Sequence, residues 1–163
     1  MSLVSISNSG LYLIDTCVLV NIRDVHKNSS KVWDAFVSQV EADKLKSVRQ
    51  VLEELERRWP DVYKRLKPLK KTILIPDGDL YSPDVIAEIR EIQRLHPGLI
   101  NPLAGGNPAD PFLISVAKSK LAIVVTDEKS KGKNHKSKIP FVCTNRNVGW
   151  IDGNGYWKGL GCV

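Results

Sequence analysis

Apolar positions along the chain fall into two kinds of block. Leu11 to Ile14 reads Leu-Tyr-Leu-Ile and breaks off at Asp15-Thr16, the pattern of a buried strand followed by a turn. Leu121 to Val125 is an unbroken run, Leu-Ala-Ile-Val-Val, too short for a helix and suited to a strand buried on both faces. It too ends in polar residues, Thr126-Asp127-Glu128. Between and around these runs the apolar residues recur at helical spacing. Val32, Trp33, Phe36, Val37 and Val40 predict a helix over about 30–42. Val48, Val51, Leu52, Leu55 and Trp59 form the stripe of another, with Ser47 and Gln50 as a capping box at its start and Pro60 as its stop. Asp61 to Leu69 suits a further short helix, and Thr72 to Ile75 either a short strand or an extended connection. Ser82-Pro83 opens a helix with Val85, Ile86, Ile89, Ile92 and Leu95 inward, closed by Pro97-Gly98. After the turn-rich NPLAGGNPAD, a helix starts at Pro111. Pro140 starts a short helix, Trp150 to Asp152 is a last strand, and the glycine-rich tail carries no clear pattern.

Helical patterns alternating with apolar strands predict an α/β domain: a three-layer α/β/α sandwich around a central, mainly parallel sheet. Such sheets bind ligands at the carboxyl ends of their strands. Both of the clearest strands are followed by an aspartate. The chain has 163 residues, a length that suits one domain spanning 1–163. No run approaches the roughly 18 apolar residues of a membrane span. MSLVSISNSG lacks a basic region followed by an apolar one, so no secretory signal is expected. Cys17, Cys143 and Cys162 form no CxxC pair, which argues against a disulfide framework or zinc knuckle and for a reducing cytoplasm.

Charge adds a direction. The formal net charge is +6, a modest lean toward polyanions. Lys129, Lys131, Lys133, Lys136 and Lys138 crowd into KSKGKNHKSK, which reads equally as a solvated loop or as a phosphate-contacting one. Gly105-Gly106 is not followed by the Gly-Lys-Ser/Thr of a phosphate-binding loop. His26, His96 and His135 lack metal-ligand spacing. The four tryptophans read as core or interface, with Trp157 in the tail the best candidate for stacking on a base.

Each acid near a strand end has an ordinary explanation. Asp15 and Asp127 suit turns or helix caps, Asp110 before Pro111 suits an N-cap, and Glu54 sits among Glu53 and Glu56 on a charged helix. Periodicity does not choose among the three glutamates: Glu56 lies nearest the centre of the apolar stripe and Glu54 flanks it. Taken together the acids say more. Several carboxylates on one sheet edge repel each other unless a cation neutralises them, and oxygen-only ligands favour Mg²⁺ or Mn²⁺. That chemistry suits phosphodiester hydrolysis.

The order LYLIDT, VLEEL, ADPFLISVA, VVTDE resembles the PIN domain, named for the PilT N-terminus, including the toxin ribonucleases of bacterial toxin–antitoxin pairs. More narrowly it is similar to a PIN-like group of uncharacterised function in which ADP-x-L-I-x-x-A, VVT-[DE]-E and KIP-x-VC recur; this chain has KIPFVC at 138–143. The resemblance covers roughly 11–152. It implies a PIN-like fold and a metal-dependent endoribonuclease. It implies that Asp15, Glu54, Asp110 and Asp127 hold one or two Mg²⁺ or Mn²⁺, with Glu54 selected over its neighbours and Glu128 open as a substitute or helper for Asp127. Thr16 and Thr126 match hydroxyls that line such sites, and Lys129, Lys131 and Lys133 are candidate substrate contacts. An RNA substrate, a cognate antitoxin and a homodimer are the implied partners. Where many members carry Asn two residues after the first aspartate, this chain has Cys17, which reads as a small buried residue without a nucleophilic role. A DNA-directed or 5′-nuclease-like enzyme would use the same carboxylates, and a non-catalytic binding module is the third reading.

Overall fold

A computed structural model of the chain describes residues 10–100 and 107–163. Most of the turn-rich stretch NPLAGGNPAD therefore lies outside the described residues. Strand β1 (Tyr12–Ile14) leads into helix α1 (Thr16–Asp24), then α2 (Ser30–Glu41) and β2 (Leu45–Lys46). A helical section follows: α3 (Arg49–Arg58), α4 (Pro60–Leu66), α5 (Lys70–Ile73), α6 (Asp77–Leu80), α7 (Pro83–Leu95) and α8 (Asp110–Lys120). Strand β3 (Ile123–Val125), α9 (Ile139–Asn145), β4 (Trp150–Ile151) and α10 (Gly153–Gly159) complete the order.

The four strands form one parallel sheet in the order β2-β1-β3-β4, flanked by helices in a three-layer α/β/α, PIN-like architecture. The strands are short but almost wholly apolar, as a sheet covered on both faces requires. Leu13, Ile14, Val124 and Val125 are completely or almost completely shielded from solvent. Strand order reverses at β1: the chain steps to β2 on one side and later to β3 on the other. A crevice therefore opens between the carboxyl ends of β1 and β3. Ile14 pairs with Val125, and the ladder runs one residue past the strand ends. Asp15 N–H donates to Val125 O at 2.9 Å, and Thr126 N–H to Ile151 O at 3.0 Å. Asp15 and Thr126 are thus held side by side by backbone geometry.

Most of the expected elements are present, and the departures have physical reasons. Helix α1 is absent from the hydrophobic pattern because Thr16, Val18, Leu19, Val20 and Ile22 are all buried, so it shows no single apolar stripe. Ser47 does not cap α3. Its hydroxyl donates to Ile14 O at 2.8 Å, and Val48 stands at the N-cap with no side-chain bond. Thr72 and Ile73 end the short helix α5, and Leu74 makes an isolated parallel bridge to Ser47, so the extended reading holds for the second half of 72–75 only. Leu121 belongs to the end of α8: it is a left-handed cap (φ 54°) and exposed, so β3 starts two residues later than the apolar run. The tail folds as α10 despite its glycines, because Asp152 caps it through Gly155 N–H (2.6 Å) and Tyr156 and Trp157 are buried. Trp157 is therefore a core residue and does not offer a face to a base.

One partly buried ion cluster ties the helices behind the sheet. Arg146, just after α9, gives two hydrogen bonds to Glu88 of α7 at 2.7 and 2.9 Å, and Lys118 of α8 lies 3.3 Å from the same carboxylate. Desolvation pushes the Glu88 carboxyl up, but the bonds from Arg146 and Lys118 prevail and hold it below its ordinary 4.5. Its stabilising contribution is therefore complete above that ordinary value and is lost as pH falls through the lower folded value. Glu88→Gln should cost about 1–2 kcal/mol at pH 7, a partly buried, charge-assisted contact. The gap from wild type should close as pH drops below about 4.5. Urea unfolding of both proteins from pH 7 to 3.5 checks this; a gap independent of pH would remove the carboxylate's charge from the account.

Candidate active site

The crevice between β1 and β3 is a cleft of about 270 Å³ lined by Asp15, Glu54, Asp110 and Glu128, with Arg58 and Asn107 among the other polar groups. Asp15 ends β1 and caps α1, its Oδ1 accepting from Thr16 N–H at 2.7 Å. Its Oδ2 accepts from the Thr126 hydroxyl and from the Cys17 thiol, both at 3.0 Å. Glu54 reaches in from the middle of α3, and its Oε2 accepts from the Thr16 hydroxyl (2.9 Å) and the Asn107 side-chain amide. Its Oε1 accepts from Arg58 Nη1 at 3.1 Å. Asp110 is the first residue of α8 rather than its N-cap, which is Ala109. It is 2% exposed, and its Oδ2 is buried with no hydrogen-bond partner among the described residues.

The fourth expected acid is placed differently. Asp127 directs its carboxylate to Gly153 N–H and the Asn21 amide, each at 2.7 Å. A Cβ at Gly153 would come within 2.9 Å of that carboxylate, so the contact depends on glycine. Asp127 does not line the cleft of the other three acids; its neighbour Glu128 does. Glu128 Oε2 accepts from Ile139 N–H (2.7 Å) at the start of α9, and its own N–H donates to the Thr126 hydroxyl. Glu128 also lines an adjoining cavity of about 400 Å³ with Asp127, Lys129, Lys131, Lys133 and Lys138. The lysine loop thus lies directly beside the acid cleft.

Thr16 and Thr126 both spend their hydroxyls on carboxylates, so they position acids in this structure. Cys17 is half-buried and lines the cleft, donating to Asp15 and accepting from Asp127 N–H at 3.2 Å. Burial and then the Asp15 charge push its thiol far above the ordinary range, which keeps it a thiol and no nucleophile. Asn107 and Arg58 had not stood out in the sequence. Arg58 had a readable signal, since it lies four residues after Glu54 on one helix face. Asn107 had none: only the fold brings the start of α8 to α3.

The electrostatics are those of crowded anions. Burial raises the Asp15 carboxyl, the Glu54 charge adds to this, and the three hydrogen bonds oppose it. Burial likewise raises Asp110 well above its ordinary value, followed by the charges of Asp15, Glu128 and Glu54. Glu128 is pushed up to about 7, by burial first and then by Asp15. Among the described residues no three such side chains are drawn together tightly enough to be a ready-made cation cage. The donor set nevertheless fits a hard divalent ion: oxygen ligands only, several mutually repelling carboxylates, and one buried oxygen without a partner among the described residues. Mg²⁺ commonly takes few protein ligands and retains water, so it does not need a closed cage.

The family described as "Domain of unknown function (DUF4411)" matches residues 12–161. The chain belongs to that family. No curated protein matches this DUF4411 chain. Among solved structures, VapBC-1 from nontypeable Haemophilus influenzae is similar at TM-score 0.53 and 13% identity, over 88% of this chain and 98% of that one. PAE2754 from Pyrobaculum aerophilum is similar at TM-score 0.52 and 18% identity, over 94% of this chain and 98% of that one. At such identities the likeness concerns the fold alone, and it agrees with the PIN-like architecture.

If Asp110 is an unmatched anion in this DUF4411 cleft, Asp110→Asn should raise metal-free stability by about 1–2 kcal/mol. Wild type should gain stability with Mn²⁺, about 2.7 kcal/mol at a hundredfold excess over Kd, and the variant little. Thermal melts with Mn²⁺ and with EDTA test both. A variant that melts lower in EDTA, or gains as much from Mn²⁺, counts against the assignment.

Proposed function

We propose that the protein is a Mg²⁺- or Mn²⁺-dependent endoribonuclease that hydrolyses RNA phosphodiester bonds in the cytoplasm. One observation carries the reading: Asp15, Glu54, Asp110 and Glu128 meet at the switch point of a parallel sheet, with a buried carboxylate oxygen that has no partner among the described residues. These four acids would hold the ion, with Glu128 in the place first expected of Asp127. A bound divalent ion supplies Lewis acidity toward the attacking water and the phosphate. The protein's own groups do the rest. Thr16 and Asn107 hold Glu54, while Thr126 and Cys17 hold Asp15. Asp127 ties α1 to α10 through Asn21 and Gly153. Lys129, Lys131 and Lys133 would contact phosphates of the strand as it leaves the cleft on the Glu128 side. The RNA class rests on the resemblance to toxin ribonucleases.

Purified protein should cut an RNA pool with Mg²⁺ or Mn²⁺ and fail in EDTA. Asp15→Asn and Glu128→Gln should each lower the rate at least about 100-fold, the scale of losing one stabilising group at a reacting centre. Asp127→Asn should lower it far less. Equal losses for Asp127→Asn and Glu128→Gln would return Asp127 to the ligand set. Faster cutting of matched DNA oligomers would instead favour the DNA-directed reading.

The same resemblance, with the fold likeness to VapBC-1, supports a toxin restrained by a cognate antitoxin. Induced expression of wild type should then arrest bacterial growth, and Asp15→Asn should not. Equal growth with both proteins would argue against a toxin role while leaving the nuclease chemistry to the cleavage assay.

A further inference from the structure

Arg58 is the single cationic side chain among the described residues that line the acid cleft. Neutralising Glu54 is its evident job, through one hydrogen bond from Nη1. That job leaves much of it unused. A guanidinium carries five N–H donors in a planar fork, and the Arg58 side chain is 55% exposed while its partner Glu54 is 6% exposed. The head does not swing freely, because it lies over the Trp59 ring, 4.4 Å from the centroid. Trp59 is itself anchored. Its N–H donates to Leu55 O at 2.8 Å as α3 ends, Pro60 opens the next helix, and its ring packs against the core. The cleft therefore carries a flat, stacked, oriented cation beside an array of anions.

We propose that Arg58, held by Trp59, is a phosphate-binding subsite for the nucleotide next to the scissile bond. This rests on the nuclease reading above. Acids alone would repel an RNA strand, and an ion at their centre answers for one phosphate only. Arg58 on the Glu54 side and the lysines beyond Glu128 give the neighbouring phosphates cations of their own. The donors that Glu54 leaves unused are available for bidentate contact with a phosphate while the bond to Oε1 stays in place.

The test is binding of a short labelled single-stranded RNA, read by fluorescence anisotropy in EDTA over a range of KCl concentrations. Arg58→Gln should weaken binding about tenfold and reduce the slope of log Kd against log salt by about 0.7, one single-strand phosphate contact. Arg58→Lys should keep the slope and lose part of the affinity, because a lysine has no fork. Arg90→Gln, which removes an exposed charge on α7, should leave the slope unchanged. The Mn²⁺-induced melting shift is measured on each variant to show that the cleft still forms. If wild type binds and cleaves RNA but Arg58→Gln keeps its affinity and slope, Arg58 only neutralises Glu54 and the proposal is overturned. If wild type neither binds nor cleaves, the nuclease reading fails and takes this subsite with it.

Discussion

Four carboxylates line one cleft, and much of what surrounds them offsets their repulsion. Bringing like charges out of water and close together raises the free energy of each ionised form. Asp15, Asp110 and Glu128 all respond in that direction, with burial as the largest cause. The fold opposes this with hydrogen-bond donors. Asp15 receives three, Glu54 receives three including one from a guanidinium, and Glu128 receives a helix-start amide. Asp110 Oδ2 receives none among the described residues. The compensation is incomplete at that atom, on a residue that lines the same cleft. On the proposed reading, a divalent ion would supply the missing partner.

The scaffold makes such a cluster possible because the sheet is parallel and its order reverses at β1. Neighbouring parallel strands end side by side, so the residues that follow them are held at strand spacing by the backbone ladder. Helices supply the other acids: Glu54 from within α3 and Asp110 from the first turn of α8. These elements are distant along the chain. They meet because their apolar faces pack on the same sheet, where Leu13, Ile14, Val51, Leu55, Leu113 and Val125 belong to one core.

Asp127 and Glu128 show how two neighbouring acids can part. Both are acidic, both follow β3, and family order favours the first. A strand directs successive side chains to opposite sides. Here the chain past Thr126 sends Asp127 toward α1 and α10 and Glu128 into the cleft. The same divergence joins the acid cleft to the lysine cavity, because Glu128 borders both.

The sequence by itself determined the fold class, since apolar strands alternating with helical stripes leave few other ways to bury these residues. It also pointed to Asp15, Glu54 and Asp110, through strand-end position and motif order. Helix α1 stayed hidden because burial all round erases periodicity, and α10 because its glycines oppose a helix that Tyr156, Trp157 and the Asp152 cap sustain. Only the tertiary structure decided that Glu128 enters the cleft, that Asn107 holds Glu54, and that Trp59 rather than Trp157 stands at the site. Local pattern records which residues are buried and how often they recur. Which way a side chain points after its strand has ended, and which distant residue it then meets, is set by packing between elements far apart in the chain.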